Sequence, residues 1–124
     1  MLLEKIVAEA SAAMVVIADE SKLVKTLGTF PLPVEVAKFG HERTAEALRQ
    51  ICGAEVALRG GGDPFITQSG HHIYDCACGR INDPAALAAA LDAVAGVVGH
   101  GLFLGLAKGA IIAGADGIRE LGDL

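Results

Sequence analysis

The sequence predicts a chain of mixed class, α/β plus α+β: the C-terminal remnant of a Rossmann-like parallel-sheet domain with an inserted ferredoxin-like (βαββαβ) domain. Three observations carry the prediction. Residues 14–18 (MVVIA) are apolar at every position over the length of one strand, the pattern of a parallel sheet covered on both faces. Between residues 33 and 103 the periodicity changes from strand to helix and back in the order β-α-β-β-α-β, the split βαβ arrangement. Residues 110–113 then return to an apolar strand, followed by an Ala115-Asp116-Gly117 turn. The expected boundaries are residues 1–29 for the parallel-sheet remnant, 30–106 for the inserted domain and 107–124 for a tail that rejoins the first sheet.

Each element has a local reason. Leu2, Leu3, Ile6, Val7 and Ala10 recur at helical spacing with Glu4, Lys5 and Glu9 between them, so residues 2–12 read as a helix. After the strand at 14–18, Asp19 or Ser21 can cap a short helix that runs to Leu27 and ends at Gly28. Pro31 and Pro33 mark a boundary and an edge-like entry into a strand over 34–39. Residues 41–52 form an amphipathic helix: Ala45, Leu48, Ile51 and Cys52 share one face, and Glu42, Arg43, Glu46 and Arg49 the other. Strands follow at 55–59, 65–67 and 73–78, with a Gly-rich loop over 60–63 and a hairpin turn at Ser69-Gly70. Asp83 caps the next helix and Pro84 takes its first position. Leu87, Leu91 and Val94 line its buried side, Gly96 ends it, and residues 97–103 form the last strand of the unit.

Composition narrows the function. Of 124 residues, 52% are hydrophobic, which excludes a disordered chain. A net charge of −5 without a basic stripe excludes nucleic acid and an anionic membrane surface as partners. Trp is absent and aromatics are 4%, too few for a base-stacking platform. The three cysteines, Cys52, Cys76 and Cys78, do not make a disulfide framework and suit a reducing, cytoplasmic setting. Glu4, Lys5 and Glu9 break any signal-peptide core at the N-terminus. Residues 93–107 lack formal charge but are shorter than the roughly 20 residues of a spanning helix and contain four glycines and His100, so a buried strand is the reading. His72, Cys76 and Cys78 alternate onto one strand face. A shared metal site there is geometrically conceivable. The spacing is not CxxC and no second ligand pair exists, so inward-packed thiols are the better reading. His41 reads as a helix-start residue and His100 as a strand residue.

Five segments in order, LLEKIVAEA (2–10), VVIADESKLVKTLGTFPLPVEV (15–36), SGHHIYDC (69–76), INDPAAL (81–87) and GVVGHGLF (96–103), resemble the ribose-5-phosphate isomerase A family. The resemblance implies a metal-free, cofactor-free cytoplasmic enzyme that interconverts ribose 5-phosphate and ribulose 5-phosphate in the pentose phosphate pathway. It also implies two site residues. Glu4 corresponds to the glutamate of the family's Arg-Glu-Lys motif, its general acid/base, and Lys22 to the substrate-contacting lysine of its Ala-Asp-x-Ser-Lys turn. Leu3 departs from the pattern, since the family usually has Arg there. The family's phosphate loop, Asp-Gly-Ala-Asp segment and Lys-Gly-Gly-Gly loop lie upstream of the matched residues. The chain is therefore expected to be inactive alone, with a sugar phosphate as its small-molecule partner and a homo-oligomer as its assembly.

The residues by themselves are compatible with this. Aldose–ketose isomerisation moves a proton between adjacent carbons through an enediol, which one carboxylate can do. Lys22 falls just beyond the carboxyl end of the 14–18 strand, where α/β sheets place ligands. Without the resemblance, Glu4 reads as an ordinary solvated helix residue and Lys22 as a surface lysine. The alternative is a non-enzymatic ferredoxin-like module that binds a small molecule or regulates, which such a fold permits.

Overall fold

The computed structural model describes all 124 residues. They form a mixed α/β structure with three α-helices and two sheets. Helix α1 (Leu2–Ala10) leads into β1 (Met14–Asp19), which continues as one 3-10 turn at Glu20–Lys22. Then come β2 (Leu32–Val36), α2 (His41–Cys52), β3 (Val56–Leu58), β4 (His72–Cys76), α3 (Pro84–Asp92) and β5 (Val97–His100). The chain closes with β6 (Ala107–Gly114) and β7 (Gly117–Gly122). No helix is long and apolar enough to cross a membrane.

The central unit is a four-stranded sheet of order β3-β4-β2-β5, antiparallel throughout. Strand alternation divides β2 between two faces. Leu32, Val34 and Val36 face one core cluster with Ala45 and Leu48 of α2 and Leu91 of α3. The two helices therefore lie together on that face, and α1 packs against β5. Leu48 is fully buried, so truncation to Ala would cost about 2–5 kcal/mol. Helix α3 begins as its sequence directs: the Asp83 side chain accepts from the Ala86 N–H at 3.1 Å, with Pro84 at the first position.

The second sheet has the order β1-β6-β7. Strand β1 pairs in parallel with β6 across Val15↔Gly109 to Asp19↔Ala113, and β6 pairs antiparallel with β7. The connection between the sheets turns at Gly28, whose φ is +129°. A Cβ there would collide with the Gly79 carbonyl oxygen, so only glycine fits. Leu27 on its other side is tied by its carbonyl to the Ile81 N–H at 2.8 Å.

Several expected elements come out differently. The strand at 14–18 forms, but it is exposed at Val15, Val16 and Ile17. Its only sheet neighbour is β6, so its outer edge is open, and only Met14 and Ala18 are partly covered. The helix to Leu27 shrinks to one 3-10 turn; Leu27 instead forms an isolated bridge with Ile81, which takes its carbonyl out of any helix. Pro33 does not mark an edge; it sits in β2, between β4 and β5. Its carbonyl accepts from the Gly101 N–H. Its ring lies against Gly101, just past the end of β5 at His100, so the missing N–H falls at the end of the β2–β5 ladder and not inside it. Residues 65–67 are not a strand. The partner of β4 is β3, across Val56↔Cys76 to Leu58↔Tyr74, and residues 59–71 form the connecting loop. That loop is closed by the Thr67 N–H to His71 carbonyl and Gly70 N–H to Thr67 carbonyl bonds. The tail is longer than one strand and a turn: it is a full hairpin whose second strand, β7, is mostly exposed.

Candidate functional site

The first turn of α1 overhangs a cavity of about 340 Å³. Its walls include Met1 at the cap of α1, Leu2 and Glu4 from α1, Pro33 and Glu35 from β2, and Arg59, Phe65 and Thr67 from the β3–β4 loop region. Glu4 is exposed at its rim and pairs with the α-ammonium of Met1. That pairing, helped by a backbone hydrogen bond, holds the Glu4 carboxyl below its ordinary value. On the far wall, the Arg59 guanidinium binds Asp75 through two hydrogen bonds of 3.0 and 2.6 Å and lies over the Phe65 ring. Arg59 is thus occupied by structure.

Helix α1 has no side-chain cap of its own, since Met1 stands at the cap position. The acceptor comes from the sheet. Glu35, only 2% exposed, presents Oε1 to the Leu2 N–H at 3.4 Å. Its Oε2 accepts from Thr67 Oγ1 at 3.1 Å and lies 2.8 Å from His71 Nδ1. A buried carboxylate between these donors is satisfied, and its negative charge sits at the positive end of α1. A second tie holds the middle of the helix. Lys5 Nζ lies 3.3 Å from His100 Nδ1, and His100 Nε2 lies 2.9 Å from Asp92 Oδ1. The Leu102 N–H also donates to Nδ1 at 3.2 Å, so the hydrogen is on Nε2. Burial first, then the Lys5 charge, hold the His100 imidazole below its usual pKa, against an opposing pull from Asp92. Burial also lowers Lys5.

Lys22 lies elsewhere. It ends the 3-10 turn that follows β1, with Asp19 Oδ1 accepting from the Ser21 N–H at 2.9 Å. Lys22 lines a second cavity of about 290 Å³, with Leu27, Gly28, Phe30 and Pro33. Its ammonium lies 5.2 Å from the Phe30 ring centre. Glu4 and Lys22 therefore line two depressions on either side of Pro33, the one lining residue the two cavities share.

The sequence model of the family described as "Ribose 5-phosphate isomerase A (phosphoriboisomerase A)" matches residues 1–117. The chain belongs to the ribose 5-phosphate isomerase A family. A ribose-5-phosphate isomerase A of Brucella suis biovar 1 (strain 1330) is 54% identical over 124 residues, covering 95% of this chain and 53% of the relative. One from Sinorhizobium fredii is 53% identical, covering 98% and 55%. Among solved structures, the ribose 5-phosphate isomerase A of Neisseria gonorrhoeae superposes with a TM-score of 0.89 at 34% identity, covering 99% of this chain and 54% of that one. A D-ribose-5-phosphate isomerase in complex with phospho-erythronic acid gives 0.89 at 31% identity, covering 98% and 54%. The chain spans about half the length of the relatives it matches.

Short motifs in the sequence mark Glu4 and Lys22, whereas nothing local marks the contacts that Glu35, Thr67, His71, Lys5 and Asp92 make around them. One of these had a signal. Glu35 is a lone carboxylate in the apolar PLPVEV run, and a charged residue inside a strand whose other positions are buried needs a partner. The partners are 32 to 36 positions away and carry no local pattern. The His41 reading holds, since it begins α2, with Nδ1 2.7 Å from the Tyr74 hydroxyl. His100 lies in β5. His72 stacks edge-on with His41 and is buried.

Proposed function

We propose that this chain supplies the general acid/base and one substrate contact of an enzyme that interconverts ribose 5-phosphate and ribulose 5-phosphate. The observation that carries the reading is the family match over residues 1–117. Glu4, on an anchored first helical turn above a cavity, takes the proton from C2 of the open-chain aldose and returns it to C1 of the enediol. Lys22, beyond the carboxyl end of β1, offers a cation to the anionic substrate. A sugar phosphate fits the phospho-erythronic acid bound by a related isomerase. We read the antiparallel unit, residues 30–106, as ferredoxin-like, because its strand order is β3-β4-β2-β5 with both helices on one face. Residues 1–29 and 107–124 then belong to a Rossmann-like parallel sheet, which the parallel β1–β6 pairing supports. The reading also places the enzyme in the cytoplasm as a homo-oligomer.

The test joins this chain to the residues that precede the matched segment in the Brucella suis relative and assays ribose 5-phosphate isomerisation. The joined protein should turn over and the chain alone should not. Preorganised binding of the phosphate and of the developing oxyanion supplies the larger part of such a rate. Glu4→Gln in the joined protein should lower kcat by about 10²- to 10⁴-fold. Undiminished turnover in that variant would remove Glu4 from the reaction.

A further inference from the structure

Cys52 is the last residue of α2, and Cys78 lies two residues beyond the end of β4. Their sulfurs are 2.9 Å apart, although the residues are 26 positions apart in sequence. Both ends are fixed. Gly53 closes α2 in the left-handed conformation, its N–H bonded to the Arg49 carbonyl at 2.8 Å. Gly79, also left-handed, turns the chain directly after Cys78. The two thiols line an open cavity of about 220 Å³ with Arg80, Asp83 and Leu87. The third thiol, Cys76, is fully buried; it reaches the Tyr74 carbonyl and also lies beside the Cys52 thiol.

We propose that Cys52 and Cys78 form an oxidation site, a dithiol that a low-molecular-weight disulfide such as oxidised glutathione closes to an intramolecular bond. The geometry asks little of the fold, because a disulfide is about 2.05 Å long and the sulfurs need to approach by only about 0.9 Å. The step balances. One cysteine thiolate attacks a sulfur of the reagent and expels one glutathione thiolate. The other cysteine then attacks the mixed disulfide and expels the second. Two electrons and two protons pass from the protein to the reagent. The bridge would tie the end of α2 to the end of β4, two elements already packed together. It therefore constrains the unfolded chain more than the folded one. Burial pushes Cys78 up to about 12 and raises Cys52 as well. Thiolate is scarce at neutral pH as a result, and closure is slow there and accelerates with pH.

The experiment treats the reduced, folded chain with oxidised glutathione at pH 7, 8 and 9. Samples are quenched in acid, remaining thiols are alkylated, and intact mass and cross-linked peptides are measured. The expected product has lost about 2 Da, the two hydrogens given up in exchange. It carries one alkyl group, on Cys76, and yields a Cys52–Cys78 linked peptide. Its rate of formation rises roughly tenfold per pH unit. Its melting temperature should exceed that of the reduced chain by more than about 5 °C, reversibly with dithiothreitol. Cys52→Ser and Cys78→Ser should each abolish closure. The linked-peptide map of the unsubstituted chain decides the matter even if a variant fails to fold. A bridge to Cys76, a persistent glutathione adduct in place of a bridge, or a melting temperature that falls on closure would each overturn the proposal.

Discussion

Glu35 offers the sharpest test of how the first turn of α1 is held. In Glu35→Ala the chain loses one carboxylate that serves three donors. The contacts at 3.1 Å from Thr67 and 2.8 Å from His71 lie within the normal range, and each is worth about 1–2 kcal/mol. The Leu2 contact at 3.4 Å is long, and a helix-terminal charge effect of about 0.3–1 kcal/mol is a fair weight for it. The sum is about 2–5 kcal/mol, a large part of the stability of a small domain. Glu35→Gln separates the parts. An amide can give its oxygen to Thr67 and His71, but its NH₂ then faces the Leu2 N–H, so global stability should fall by only about 1 kcal/mol while the first turn loosens. Urea unfolding followed by circular dichroism measures the first effect, and amide exchange over residues 3–6 the second. If Glu35→Ala unfolds within about 0.5 kcal/mol of the unsubstituted chain, the network is not what anchors α1.

Three further outcomes are expected. His100 is held below its ordinary pKa, so its contribution to stability is complete above about pH 6.5 and falls as the pH drops from there toward the folded-state value, because the unfolded chain binds the proton first. The slope is at most about 1.4 kcal/mol per pH unit, and it should flatten in His100→Asn; an equal slope in the variant would exclude His100 as the source. Ile17 on β1 is 79% exposed, and β1 has one free edge, so light scattering should show association that grows with protein concentration and weakens in Ile17→Lys; a strict monomer would contradict this. In the joined protein, Lys22→Ala should lower kcat/KM by roughly 10- to 100-fold, mainly through KM, as expected for a lost charge-assisted contact; unchanged constants would take Lys22 out of the site.

By itself, the sequence determined the family and most of the local structure. The motif segments spread from Leu2 to Phe103 pointed to ribose 5-phosphate isomerase A, and the family match covers residues 1–117. Helices α2 and α3 were legible because their signals are local: an amphipathic face over His41–Cys52, and a capping Asp83 followed by Pro84. Glu4 and Lys22 can be proposed from the sequence because they sit in short contiguous motifs. What only the tertiary structure decided depends on contacts between distant residues. Whether residues 65–67 form a strand depended on which segment β4 would choose, and β3 took it. Pro33 could enter a central strand because it lies at the end of the β2–β5 ladder, one residue before the Val34↔His100 pair. The helix to Leu27 gave way to a bridge between Leu27 and Ile81, 54 positions apart. The anchorage of Glu4 through Glu35, Thr67 and His71, and the meeting of Cys52 with Cys78, join positions 26 to 36 apart. Hydrogen bonds and sulfur contacts of that span leave no periodicity in the chain, so they exist only once the sheet has brought their partners together.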